Sequence, residues 1–368
     1  MEIIPAAKWA GHYNGLLIVA GPCGAESPEQ MMITAHGIAR TGKVQILRAG
    51  IWKPRTRPGS FEGRGQEALS WLKEAGRQTG LLTAVEVANA HHTEAALKAG
   101  IDVLWIGART TVNPFYVQEI ANALKGTGIP VMVKNPVNPD VNLWIGALER
   151  IARAGSLKLV AVHRGFTDYR PSPYRNSPLW EVVVELKRLV NGLPVICDIS
   201  HISGKRELLP SVAQRAIDLD MQGLMIETHC DPQQALSDAD QQITPAQLDT
   251  LLSQLIIRRP VSSHPVYKAT LEELRREIDR LDHELLQLLA ARTRIVEQIG
   301  EYKRENNVTI LQLERWKQIL NDRIPSGACQ GLEPEFVRQL YILIHNESLR
   351  LQNRILNENR KAESIGND

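Results

Sequence analysis

Leu16–Leu17–Ile18–Val19–Ala20 is a short apolar run that ends in Gly21–Pro22–Cys23, and runs of this kind return seven more times along the chain. The later ones are Val44–Arg48, Leu81–Glu86, Asp102–Ile106, Ile129–Lys134, Leu157–His163, Leu193–Asp198 and Gln222–Glu227. They start roughly 20 to 37 residues apart, which is room for a strand, a helix and two loops, and this predicts an α/β fold of the closed (β/α)8 TIM-barrel type. In such a barrel, chemistry sits on the loops beyond the C-terminal strand ends, and closure makes the first and eighth strands neighbours. Cys23, His201, Glu227 and Asp238 fall at or beyond the ends of runs one, seven and eight, so they are expected to converge although they lie far apart in sequence.

The chain has 368 residues, long enough for a barrel of about 250 residues and a smaller unit. Arg258–Arg259–Pro260–Val261–Ser262–Ser263–His264–Pro265 sustains neither helix nor sheet and reads as a linker. The expected division is a barrel over 1–257, a linker over 258–267, a helical domain over 268–357 and a disordered polar tail over 358–368. Hydrophobic residues make up 43% and charged residues 23%, and no apolar run reaches the roughly 18 residues a bilayer span needs. The first residues lack a secretory pattern, and four cysteines without a CxxC pair suit a reducing cytoplasm better than a disulfide framework. A net charge of +2 points to neither nucleic acid nor membrane, so any cationic chemistry is local.

A thiolate, an imidazole and two carboxylates form a mixed soft and hard donor set, suited to one Mn, Fe, Co or Zn ion rather than to Ca or Mg. Cys197, His229 and Cys230 compete for the same role; the first lies within its strand and the other two directly follow Glu227. Cations gather at the same rim: Arg48, Lys53 in the loop Lys53–Pro54–Arg55–Thr56, Arg109, Lys134 and Arg164. Crowded like charges are costly unless an anion neutralises them, and arginine forks match phosphate and carboxylate oxygens. A metal with several arginines implies a phosphorylated carbonyl substrate.

Beyond Ala269 the pattern turns helical. Leu271, Leu274, Ile278, Leu281, Leu285, Leu288, Ile295, Ile299 and Tyr302 recur in steps of three and four, with Arg292 where the seam should continue. One reading is a coiled coil whose buried polar residue fixes register. The other is an anion site: Lys303 lies about 20° around and some 16 Å along the helix from Arg292, while Arg275, roughly 25 Å behind, could join only from a second chain.

Gly21–Pro22–Cys23–Gly24–Ala25–Glu26–Ser27, Lys53–Pro54–Arg55–Thr56, Gly107–Ala108–Arg109, Lys134–Asn135–Pro136, His163–Arg164–Gly165, Asp198–Ile199–Ser200–His201 and Glu227 with Asp238 resemble 3-deoxy-D-arabino-heptulosonate 7-phosphate (DAHP) synthases over residues 10 to 257. The likeness is to the short-barrel class, which lacks a long N-terminal regulatory extension. It implies that Arg109, Lys134 and Arg164, helped by Arg48, hold phosphoenolpyruvate. It further implies that Lys53, Pro54, Arg55 and Thr56 receive erythrose 4-phosphate, and that Lys134 and Glu86 assist proton transfer or water placement. A carboxylate capping a helix is the alternative for Glu86. Ile199 stands where many relatives have Pro, which should alter loop stiffness more than ligands.

Residues 268 to 356 resemble the all-helical chorismate mutases, intertwined dimers of three-helix chains, through Leu274–Arg275, Ile278, Leu281–Asp282, Leu285 to Arg292, Gly300 to Lys303, and Ser348 with Gln352. That resemblance assigns Arg275 from the partner, Arg292, Lys303, Arg315, Ser348 and Gln352 to a site binding chorismate and releasing prephenate. Arg292, Lys303 and Gln352 would be catalytic. Gln312 and Trp316 depart from the Asp and Glu usual there, which removes an expected partner for the substrate hydroxyl. The combined expectation is a homodimeric enzyme with two activities in aromatic biosynthesis, under feedback from prephenate or chorismate. A barrel synthase of an eight-carbon sugar acid, with a non-catalytic helical dimerisation and effector module, is the rival.

Overall fold

The structure, a computed structural model, describes residues 2–11, 15–53, 59–258, 261–262 and 264–365, with side chains to 357. Two compact units emerge, Met1–Pro260 and Val261–Asp368. In the first, β1 (Leu17–Gly21), β2 (Ile46–Ala49), β3 (Leu82–Val87), β4 (Val103–Ile106), β5 (Val131–Lys134), β6 (Leu159–His163), β7 (Val195–Asp198) and β8 (Gly223–Glu227) form a closed parallel barrel in sequence order. Closure pairs Leu17 with Gly223 and Gly21 with Glu227. Each strand lies within two residues of its expected run. Helices α1 (Pro28–Arg40), α2 (Glu67–Thr79), α3 (Ala90–Lys98), α4 (Ala108–Thr111), α5 (Pro114–Ala123), α6 (Val141–Arg153), α7 (Trp180–Leu189), α8 (Ile199–Ser203), α9 (Leu209–Asp218) and α10 (Pro245–Gln254) complete the unit.

The strands are apolar almost throughout because both faces are covered. One cluster, which includes Ile18, Leu47, Val85, Leu104, Val133, Ala161 and Ile226, packs against the helices. The other, with Leu17, Val19, Ile46, Ala84, Val103, Trp105, Met132, Val162, Ile196 and Met225, fills the barrel. Side chains alternate with period two, so each inner series can be extended toward the C-terminal end. Ile46 leads to Arg48, Ala84 to Glu86, Met132 to Lys134, Val162 to Arg164, Ile196 to Asp198 and Met225 to Glu227. The barrel is thus hydrocarbon through its middle and ionic at one mouth.

The second unit consists of α11 (Pro265–Glu305), α12 (Leu313–Cys329) and α13 (Pro334–Ile365). The start of α11 takes the last residues of the expected linker into helix. Likewise α13 continues past 357 into the stretch expected to be a disordered tail. On α11 the apolar seam is exposed: Leu274 at 58%, Ile278 at 57%, Leu288 at 69% and Ile295 at 57%. Arg292 instead belongs to a neighbouring row with Val296, Gly300 and Lys303, and Gly300 packs against Ile355 and Gln352 of α13. The seam and the cations therefore occupy adjacent faces of one helix. Among the described residues no helix is long and apolar enough to cross a membrane.

Candidate active site

Trp105, fully buried, forms the floor of the ionic mouth. Its indole N–H donates to Glu86 Oε2 at 3.1 Å, and the Arg48 guanidinium carbon lies 4.8 Å from its ring centroid. Glu86 thus meets the indole rather than capping a helix; the cap of α3 is Asn89. Gly107 continues the inner series of Trp105, and a Cβ there would come within 2.0 Å of Glu86 Oε1. Gly21 similarly lies against the backbone of Arg48, where a Cβ would approach the carbonyl oxygen to 2.0 Å. Small residues on the inner face make room for the charged ones.

Cys23, Glu227 and Asp238 place one ligand atom each within 4.8 Å of one another. The Cys23 Sγ–H donates to Asp238 Oδ2 at 3.1 Å, and Lys53 Nζ donates to the same sulfur at 2.8 Å. Burial first, then Glu227 and Asp238, push the Cys23 thiol up to about 12. Glu227 Oε1 is buried without a hydrogen-bond partner. A buried thiol between carboxylates, and a buried carboxylate oxygen that has the Arg48 guanidinium 3.3 Å away but no hydrogen bond, are what a divalent cation would satisfy, since its charge would favour the thiolate. The donor set fits such an ion.

His201, the fourth expected ligand, is presented by α8, whose first turn is capped by Asp198 Oδ1 accepting from the His201 N–H at 3.1 Å. Ile199 takes the first position of this helix. His201 Nε2 lies 3.8 Å from Glu227 Oε1, while Nδ1 lies 2.9 Å from Asp198 Oδ2. A carboxylate behind a ring nitrogen fixes the ring and aims the other nitrogen forward. Of the competing ligands, Cys197 packs in the cluster facing the helices. His229 lies beside Glu26, its Nε2 3.6 Å from Oε2, and the Cys230 sulfur is 3.9 Å from the Gln30 carbonyl.

A cavity of about 390 Å³ opens beside this cluster, lined by Lys53, Glu86, Arg109, Lys134, Arg164 and His201 among others. Lys134 Nζ donates to buried Asp198 Oδ2 at 2.7 Å. Burial alone would raise Asp198, but His201 and Lys134 hold it well below the usual carboxylate range. Arg48 Nη1 is 3.3 Å from Glu227 Oε1, both side chains fully buried. Burial, with Arg175 and Arg109 nearby, lowers Arg164 to about 10. Pro54, Arg55 and Thr56 lie outside the described residues.

Sequence reasoning missed Arg175 and Asn176. The loop after β6 folds back through an antiparallel bridge between Phe166 and Ser177. Asn176 Oδ1 then accepts from Arg164 Nη1 at 2.7 Å, and Arg175 Nη1 donates to Asp238 Oδ1 at 3.1 Å and to Gln241 at 2.7 Å. Neither residue ends a strand. The available signal was loop length, since long ordered loops on such barrels are usually functional.

In the helical unit, Arg292 Nη1 donates to Ser348 Oγ at 2.8 Å, and Lys303 Nζ donates to the Ile310 carbonyl at 2.7 Å. Arg292 therefore has a neutral partner rather than none. Gln352 is buried with its Oε1 unpartnered. Arg275 and Arg315 are exposed and bond along their own helices, to Glu272 at 3.1 Å and Gln318 at 3.4 Å. One chain thus gathers Arg292, Lys303, Ser348 and Gln352.

Residues 4–258 match the family model of the DAHP synthetase I family, and residues 274–353 match that of chorismate mutase type II. Phospho-2-dehydro-3-deoxyheptonate aldolase of Thermotoga maritima is 32% identical over 226 residues, which is 61% of this chain and 64% of that protein. The chain thus spans a little under two thirds of that relative's length. A 2-dehydro-3-deoxyphosphooctonate aldolase of Caulobacter vibrioides is 26% identical over 271 residues, covering 67% of this chain and 88% of that one. The crystal structure of the Thermotoga maritima DAHP synthase superposes with a TM-score of 0.59 at 29% identity, over 66% of this chain and 68% of that chain.

Proposed function

This chain belongs to the DAHP synthetase I family, and on that premise we propose that one polypeptide condenses phosphoenolpyruvate with erythrose 4-phosphate and also rearranges chorismate to prephenate. The observation that carries the first activity is the convergence of Lys53, Arg109, Lys134 and Arg164 on one cavity beside the Cys23, Glu227 and Asp238 cluster. Arg109 and Arg164 hold phosphoenolpyruvate by its carboxylate and phosphate, with Lys134 and Arg48 beneath. Lys53 and the adjoining Pro54, Arg55 and Thr56 receive the aldose phosphate. A divalent ion, Mn, Fe, Co or Zn, held by Cys23, His201, Glu227 and Asp238, would supply Lewis-acid polarisation of the aldehyde oxygen. C3 of phosphoenolpyruvate attacks that aldehyde carbon, water adds at C2 and phosphate leaves. Lys134, hydrogen-bonded to Asp198, and Glu86 are positioned to move protons for the water step. A thiol in this set suits the reducing cytoplasm.

The second activity needs neither metal nor nucleophile, only a cage pre-set for the rearranging substrate. Arg292 and Lys303 bind carboxylates, Ser348 orients Arg292, and Lys303 and Gln352 donate to the ether oxygen as its bond breaks. Arg275 and Arg315 complete the cage in a homodimer, which the exposed seam of α11 favours, because an apolar strip of this kind marks an interaction surface. Prephenate or chorismate bound there also feeds back on the barrel, by about 5- to 150-fold if the coupling is of ordinary size.

The test is product formation by the full chain from phosphoenolpyruvate with a tetrose or a pentose phosphate, with and without chelator and prephenate, alongside chorismate consumption. Similarity to the Caulobacter vibrioides enzyme keeps the pentose phosphate as the competing acceptor. Turnover of the pentose phosphate alone, or full activity in metal-free protein, would overturn the barrel reading.

A further inference from the structure

His345, Ser348 and Gln352 follow one another on α13 in steps of three and four, and so share one helical face. That face meets the cationic row of α11 through the bond from Arg292 to Ser348. Ser348 and Gln352 are buried, whereas His345 is half-buried. Its ring stacks on the Trp316 indole of α12, with centroids 4.0 Å apart and planes inclined by 21°. The charged groups acting on it are Arg292 and Lys303, both from α11, while α12 presents the uncharged indole.

A dicarboxylate that also carries a hydroxyl asks more of this cage than cations. Arginine and lysine only donate hydrogen bonds, and the indole N–H of Trp316 is likewise a donor. Ser348 Oγ already accepts from Arg292 and donates to the Ile344 carbonyl, and Gln352 Oε1 belongs to the amide assigned to the ether oxygen. A neutral imidazole keeps one nitrogen as an acceptor. Resting on the mutase reading above, we infer that His345, with its ring plane fixed by Trp316, accepts the hydrogen bond of the substrate hydroxyl in the cage between Arg292 and Lys303. Trp316 is then a positioning residue and not a defect of the site. Burial and the two cations hold His345 below its ordinary value, so the accepting form prevails at neutral pH. Protonation would turn the acceptor into a donor and add a third positive charge. Rearrangement should therefore fail on the acid side, at a pH below the ordinary imidazole range, where a carboxylate in the same role would still accept.

The experiment measures kcat and KM for chorismate from pH 5 to 8 in the full chain and in His345→Gln and His345→Leu, with circular dichroism as the folding control. His345→Leu should lower kcat/KM roughly 10- to 100-fold, the consequence of leaving a polar group unpaired. His345→Gln, which accepts without titrating, should recover part of this loss and abolish the acid limb. Unchanged kcat/KM in folded His345→Leu, or an acid limb that persists in His345→Gln, overturns the inference and leaves the mutase reading standing. Absence of rearrangement by the wild-type chain overturns that reading, and this inference with it.

Discussion

The barrel and the helical unit both gather cations, yet they balance those charges differently. In the barrel, Arg48 faces Glu227 at 3.3 Å, Lys134 faces Asp198 at 2.7 Å and Arg175 faces Asp238 at 3.1 Å, each a protein carboxylate. In the helical unit, Arg292 and Lys303 have a hydroxyl and a backbone carbonyl as partners. Neutral partners satisfy hydrogen bonding but leave the positive charge uncompensated, so that site gains more when an anion arrives. A second contrast runs alongside. The barrel covers its own apolar strands, whereas α11 leaves Leu274, Ile278, Leu281 and Leu285 about half exposed or more. The proposed barrel site draws its described residues from one chain, whereas the proposed helical site calls for a ligand and a second chain.

The largest expected effect breaks the two sites apart. Cys23→Ala removes the only soft donor of the barrel cluster, and should lower DAHP formation at least about 10³-fold while leaving chorismate rearrangement intact. Elemental analysis should show that the bound metal falls with it. Retained metal and retained synthase activity together would refute the ligand assignment.

Next is Arg292→Leu, which should lower rearrangement about 10²- to 10³-fold, since it deletes a positioned donor to the reacting anion. Barrel catalysis without prephenate should be unchanged, and sedimentation should find the dimer intact or tighter, because an uncompensated charge beside an apolar strip has been removed. Heterodimers of Arg275→Ala and Arg292→Ala chains should regain one working site. Confirmed heterodimers that stay inactive would mean the site is not shared between chains.

The two halves were also legible in the sequence to different degrees. Each barrel strand lay within two residues of its apolar run, because burial on both faces writes an uninterrupted signal. The charged residues ending those runs, Arg48, Glu86, Lys134, Asp198 and Glu227, could be assigned to one mouth by parallel strand direction alone. Arg175 and Asn176 could not, because a loop that folds back over a site carries no period. The face on which Arg292 lies differs from its heptad position for a related reason. Heptad spacing put it in the apolar seam, but a straight helix drifts against a seven-residue repeat, and in the structure Arg292 joins the row facing α13. Single-chain periodicity cannot tell which of two adjacent faces meets a neighbour within the chain and which meets a partner.

A smaller effect concerns acid stability. His163 is buried between the rings of Phe166 and Trp180, at 5.7 and 5.2 Å, and burial together with Arg164 lowers its pKa to about 3. The unfolded chain binds a proton at this residue near pH 6.5 and the folded barrel does not, so stability falls as pH drops through that window. Above about pH 4.5 this loss is separable from carboxylate protonation at Asp198. Denaturant unfolding of His163→Phe should show a flatter slope between pH 6.5 and 4.5. An unchanged slope would mean that the ring is protonated in the fold.

The smallest prediction asks whether the two units melt independently. Thr244 begins α10 with a reciprocal cap: its hydroxyl accepts from the Gln247 N–H at 3.2 Å, and the Gln247 side chain accepts from the Thr244 N–H at 2.9 Å. Thr244→Ala deletes the first bond and frees the second, which typically costs about 1 kcal/mol. For a domain of this size that is a melting shift of roughly 2–4 °C. The shift should appear only in the barrel's calorimetric transition, since α10 packs Leu248 and Leu251 into the barrel core. The helical transition should instead depend on protein concentration, as expected when a second chain covers the seam of α11. A single transition that moves as a whole would show that the units unfold as one.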